Sequence, residues 1–139
     1  MNPADVDALR LAVIRISRKL RKSADRAGVT PSQMSALFTL DHRGPLRLGD
    51  LARCEQVAGP TITRLVAVLE GKGLVDRRSD ELDARSSIVA LTASGREVLS
   101  TLAEGSNDYL QARLSELPEP DLGQLVGAIA VLTTLAEGS

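Results

Sequence analysis

"RRSDELDARSSIVALT", Arg77 to Thr92, is the stretch on which the fold turns. It sets Asp80, Glu81, Asp83 and Arg85 in a loop between two strand-like runs, Leu74–Val75 and Ile88–Leu91. A two-strand ribbon standing in water is marginal by itself. Its charged tip therefore needs either a structural partner or a ligand, and the neighbouring segments bear on which.

Just upstream, "GPTITRLVAVLEGKG" reads as a helix. Pro60 suits the first turn, Ile62, Leu65, Val66 and Leu69 form one apolar side, and the glycines at 71 and 73 end it. Before it, "LGDLARC" offers Leu48, Leu51 and Ala52 for a shorter helix, joined by the bend "EQVAG". Two short helices so tightly connected resemble a helix-turn-helix, whose second helix projects its N-terminal polar side chains. Here these are Thr61, Thr63 and Arg64. A helix-turn-helix followed directly by a β-ribbon is a winged helix, and the opening stretch is its wing.

The flanks are helical. Residues 4–27 space Val6, Leu9, Val13, Ile16 and Leu20 along one stripe, with most basic residues opposite. "GVTPSQ" ends that helix at Gly28 and starts the next with Thr30 as N-cap, Pro31 in the first turn and Gln33 completing a capping box. Met34, Leu37, Phe38 and Leu40 make this second helix apolar on one side, and "HRGP" stops it. After the ribbon, Thr92 caps a long helix running to about residue 116. "LPEPD" breaks it, and Leu122, Leu125, Val126, Ile129, Leu132 and Leu135 mark a last helix. The expected fold class is mainly α. A winged helix-turn-helix lobe with a two-strand wing, residues 30–92, is flanked by a helical region, residues 1–29 and 93–139.

Composition narrows the function. With 139 residues the chain suits one domain, and with Tyr109 and Phe38 as its aromatic residues the core must be aliphatic. Cys54 stands alone, which excludes an internal disulfide. The N-terminus lacks a signal-peptide layout, and no apolar run approaches the roughly 20 residues of a membrane span. A cytoplasmic protein, nucleoid-associated when bound to DNA, is expected. A net charge of -1 conceals a split: +3 over residues 1–42, +2 over 43–96 and -6 over 97–139. Such a split allows a polyanion-binding face on a protein of ordinary pI.

From Thr30 to about Leu102 the chain resembles the multiple-antibiotic-resistance regulator (MarR) family of bacterial transcription factors. The segments are "TLDHRGPLRLGDLA", "GPTITRLVAVLEGKGLVDRR" and above all "DARSSIVALTASG". The last has the family's Asp-x-Arg in the wing, a strand ending in Leu-Thr, and a helix opening with Gly as its third residue. The resemblance implies an obligate homodimer, interleaved through the first, fifth and sixth helices, so that residues 1–29 and 93–139 form a helical dimerisation region. It also implies a pseudo-palindromic double-stranded operator and repression relieved by a small aromatic, phenolic or anionic effector. The glycines at 123 and 127 would let a partner helix approach closely.

Arg85 is the leading DNA candidate, since a wing tip lies beside the minor groove, which attracts guanidinium groups. Asp83 could pair with it, and Ser86 completes the tip. Thr61, Thr63 and Arg64, with Pro60 at their helix start, should meet the major groove or its phosphates. Gly59 departs from relatives that carry a longer polar residue there. Arg53, Gln56, Arg77 and Arg78 are phosphate candidates. Along the first helix, Arg15, Arg18, Lys19, Arg21 and Lys22 form a face that is mainly solvated, while an effector pocket near Arg15, Arg18, Met34 and Phe38 would give an anion a cation. Cys54 reads as packing, and His42 has no second metal ligand nearby, so no metal site or cofactor is expected beyond that effector.

An enzyme is not expected: no Ser-His-Asp arrangement and no phosphate-binding loop after a strand is visible. The remaining rival is a winged-helix module that docks on another protein.

Overall fold

The computed structural model describes residues 1–137. Helix α1 (Pro3–Ala27) is capped by Asn2, whose side chain accepts from the Asp5 amide, and ends at Gly28 with φ 74°. That left-handed turn costs a glycine little and lets the chain reverse. Helix α2 (Pro31–Arg43) opens with the full capping box: Thr30 Oγ1 accepts from the Gln33 amide at 3.2 Å, and Gln33 Oε1 accepts from the Thr30 amide at 3.1 Å. Then come β1 (Leu46–Arg47), α3 (Leu48–Glu55), α4 (Gly59–Gly71), β2 (Val75–Ser79), β3 (Ser87–Leu91), α5 (Ala93–Leu114) and α6 (Glu119–Glu137).

Two expectations change. The ribbon is a three-stranded antiparallel sheet in the order β1-β3-β2, with Leu46 opposite Val89 and Arg47 opposite Ile88. Strand β2 also runs past Val75 to Ser79, so Arg77 and Arg78 are strand residues paired with Val89 and Ile88. A two-residue strand such as β1 has no periodicity of its own, because β3 alone holds it. The long helix ends at Leu114, slightly before the expected limit.

The core is aliphatic. Leu37, Leu51, Ile62, Val66, Leu69, Val75, Val89 and Leu102 are fully buried, so α2, α3, α4, the sheet and the start of α5 enclose one cluster. Burying one such side chain stabilises the fold by about 1.5–3 kcal/mol. The outer helices contribute little to it. Of α1 only Ser23 and Ala24 are buried, and α6 has no buried residue. Lys72, just past α4, donates to the Gly28 carbonyl at 2.8 Å and to Gln33 Oε1 at 3.2 Å, tying that end to the α1–α2 corner.

The junction between sheet and α5 is the tightest place in the chain. Thr92 donates its amide to the Leu74 carbonyl at 3.2 Å and its hydroxyl to the Gly73 carbonyl at 2.6 Å. The same hydroxyl oxygen caps α5 by accepting from the Gly95 amide at 3.0 Å. Gly95 lies so close to the preceding loop that a Cβ there would stand 2.1 Å from the Leu74 carbonyl oxygen. The Thr-x-x-Gly spacing thus has a steric cause. Gly95→Ala should lower stability by about 1–3 kcal/mol, the usual cost of overpacking, read as a drop in the urea midpoint. Gly49→Ala, where the added methyl meets open space, should cost far less.

Candidate nucleic-acid interface

The buried residues of α4 are Ile62, Val66 and Leu69, one helical stripe. That anchoring leaves Pro60, Thr61, Thr63 and Arg64 exposed at the helix start. No side chain caps this terminus, and the Thr61 and Ile62 amides turn back to the Ala58 carbonyl. The positive end of the helix dipole therefore faces outward, where phosphate is favoured. Thr63 Oγ1 donates to the Gly59 carbonyl at 2.9 Å, so its proton is taken while its lone pairs and methyl stay available. Arg64 forms no ion pair among the described residues. At Gly59 an added side chain would meet open space.

The phosphate candidates divide. Arg53 is ion-paired with Asp50 one turn earlier on α3. Arg77 reaches Glu70 of α4 at 3.3 Å, tying strand β2 to the helix. Arg78 is exposed and forms no ion pair among the described residues. Gln56 ends α3 at φ 56°, the only positive φ outside glycine among the described residues. This left-handed residue makes the sharp turn into α4, with its side chain exposed.

At the wing tip, Asp83 works differently from expectation. It makes no ion pair with Arg85 among the described residues. Instead its Oδ1 accepts from the Arg85 amide at 3.0 Å, and its own carbonyl accepts from the Ser86 amide at 3.0 Å. A carboxylate two residues before an amide meets that donor at little entropic cost, whereas a long arginine must be held still. The tip is shaped through the backbone, and the Arg85 guanidinium remains exposed and free of ion pairs among the described residues.

Asp80 supplies the structural partner that the opening stretch required, and sequence reasoning missed the other half. Its side chain is only 5 % exposed, and Arg47 Nε of β1 lies 2.7 Å from its Oδ2. That contact is one of charge, without the alignment of a hydrogen bond. The other oxygen, Oδ1, accepts from the Leu82 amide at 3.0 Å.

Met34 and Phe38 line a groove of about 580 Å³ together with Thr39, His42, Arg43 and Thr133. Arg15 and Arg18 are exposed on α1 and do not line it. Cys54 is half-buried. Among the described residues no cluster of His, Cys, Asp or Glu could hold a metal ion, and no helix is long and apolar enough to cross a membrane.

A short helix pair whose second helix leaves its start exposed, followed by a sheet whose β2–β3 loop carries an exposed arginine, is the architecture of a winged helix-turn-helix DNA-binding regulator. The model of the MarR family matches residues 29–87. An HTH-type transcriptional regulator of Mycobacterium tuberculosis is 35% identical over 131 residues, 94% of this chain and 92% of the relative. The HTH-type transcriptional repressor MdtR of Bacillus subtilis is 28% identical, over 88% of this chain and 79% of its own. Among solved structures, a mutant of Staphylococcus aureus MepR bound to an oligodeoxyribonucleotide superposes with a TM-score of 0.68. It is 25% identical, over 94% of this chain and 96% of that one. The chain belongs to the MarR family, a family of transcriptional regulators and not of enzymes.

The backbone role of Asp83 is open to test. Asp83→Ala should speed amide hydrogen exchange at Arg85 by about fivefold, matching the loss of roughly 1 kcal/mol for one hydrogen bond. The melting temperature should stay within a few degrees of the parent, since no core contact is lost.

Proposed function

We propose that this protein is a homodimeric repressor that binds a pseudo-palindromic operator and is released by a small aromatic or anionic ligand. The observation that carries the dimer is the bare face of α6. Leu125, Val126, Ile129, Val131, Leu132 and Leu135 are between 41 and 69 % exposed. On α1, Val6, Leu11, Val13, Ile14 and Ile16 are 40–46 % exposed. A lone chain in water does not keep so much aliphatic surface uncovered, and a second copy covers it. Gly123 and Gly127 both look into open space on α6, which permits close approach of a partner helix.

Each protomer would place α4 in a major groove, with Arg64 and the two threonines toward base edges and phosphates. Arg85 would enter the flanking minor groove, where the narrow negative channel favours a guanidinium. Arg78 and Gln56 would contact phosphate, and Arg53 and Arg77 would hold the surface in shape through their carboxylate partners. Repression agrees with the B. subtilis relative MdtR, a transcriptional repressor. An effector would enter the groove beside Met34 and Phe38, whose lining holds both the Arg43 cation and the Glu137 carboxylate. Filling it would bias the spacing of the two DNA-binding lobes.

Selection of bound duplexes from random DNA, repeated with a panel of aromatic acids, tests the reading as a whole. Half-sites about 34–36 Å apart are expected, and a single unrepeated half-site would contradict the dimer. Ile129→Glu combined with Val126→Glu should give monomers in sedimentation and abolish operator binding. Raising salt from about 50 to 200 mM should weaken binding by about three orders of magnitude or more if six or more phosphates are contacted. Arg64→Ala should cost about 1–3 kcal/mol and relax base preference at particular positions, whereas Arg85→Ala should weaken binding across sequences.

A further inference from the structure

The Arg47–Asp80 pair joins two parts of the fold that the sheet barely connects. Strand β1 has only two residues in register with β3, and Arg47 is the second of them, opposite Ile88. Strand β2 pairs with the other edge of β3 and ends at Ser79 opposite Ser87, so Asp80 is the first residue of the wing beyond the sheet. The Arg47–Asp80 contact therefore crosses β3 and links the two outer strands. Arg47 is also the N-cap residue of α3, yet its side chain caps nothing there. It reaches the wing instead.

Each oxygen of the Asp80 carboxylate has a separate task. Oδ1 accepts from the Leu82 amide at 3.0 Å and starts the tip turn, while Oδ2 faces Arg47 Nε at 2.7 Å. The Asp80 amide donates to the Ser86 carbonyl at 3.0 Å, which closes the tip below Arg85. A carboxylate this deeply buried is costly without its cation. While Asp80 is held at this depth, Arg47 is its ion-pair partner among the described residues, so the seated wing depends on Arg47. Arg47 itself remains half-exposed, 49 % by its side chain, and can be replaced without opening the core.

We propose that Arg47 and Asp80 are positioning residues for DNA binding: they lock the wing to the start of the helix-turn-helix, so that Arg85 is presented at a fixed distance from α4. Neither needs to touch DNA. The proposal rests on the reading of Arg85 as a DNA contact, and pre-organisation is the source of the affinity. A loosely hinged wing would have to be ordered at each binding event, and Arg85 would then contribute little.

The test is a set of fluorescence titrations of a duplex selected from random DNA with the intact dimer. Asp80→Asn keeps the shape and the bond to the Leu82 amide but removes the charge. Asp80→Asn, Arg47→Gln and Arg85→Ala should each weaken binding, on the order of tenfold. Asp80→Asn with Arg85→Ala should be no weaker than Arg85→Ala alone within about twofold, the signature of coupled residues. Arg47→Gln should likewise add no loss to Asp80→Asn. Thermal melting of each variant shows that the core is intact, which a purely structural collapse would not leave. If Asp80→Asn binds like the parent while Arg85→Ala is weakened, the lock is refuted and the Arg85 reading stands. Additive losses, or a further loss from Arg47→Gln in the Asp80→Asn background, assign a direct DNA role to Arg47 and also refute it. Arg85→Ala binding like the parent removes both ideas.

Discussion

The contact between the first turn of α5 and the loop after α4 is the constraint on which the molecule depends. Thr92 holds the Gly73 and Leu74 carbonyls, and Gly95 lets the helix backbone touch the Leu74 carbonyl oxygen. Through this one place, the sheet, the end of α4 and the long helix share a fixed geometry. Leu99 and Leu102 on α5 then reach the common core beside Leu37 and Val89. Any movement of α5 must carry Leu74 with it, and the end of the helix-turn-helix follows.

Burial is uneven along the chain, and the unevenness separates two jobs. The central elements bury most of their apolar side chains within the chain, with Val68 and Leu82 left exposed. The terminal helices do not: α6 buries nothing, and α1 buries only a serine and an alanine near its end. A chain whose centre is complete and whose ends are unfinished folds its DNA-binding lobe first and foremost around its own residues. Its ends keep their apolar stripes exposed. The basic residues of α1 sit outside that core, and Lys19 stacks over Tyr109 of α5 with its Nζ 5.9 Å from the ring centroid. That contact explains one cation of the stripe as packing between helices.

Local chemistry was readable from the residues alone. The capping box at Thr30 and Gln33, the left-handed Gly28 and the Thr92 cap need only a few neighbours in sequence, and each occurs as expected. The outward set of α4 was readable for the same reason, because burying Ile62, Val66 and Leu69 forces Thr61, Thr63 and Arg64 outward. Strand β1 was not readable, since two residues carry no period and β3 alone defines them. The Arg47–Asp80 pair was hidden with it: distant residues become partners only once the sheet order is known. Asp83 does bond to Arg85 as expected, but through the backbone amide, because a nearby amide competes better than a mobile guanidinium. The groove beside Met34 and Phe38 was half seen, because its far wall comes from Thr133 on α6.

The uneven charge has a consequence for how this molecule meets DNA. Residues 97–139 hold a net -6, whereas the first 96 are positive in both their parts. The carboxylates of the last two helices repel a polyanion, and the cations of the earlier segments attract it. A duplex diffusing nearby feels both before any contact is made, and approaches that meet the cations first are favoured.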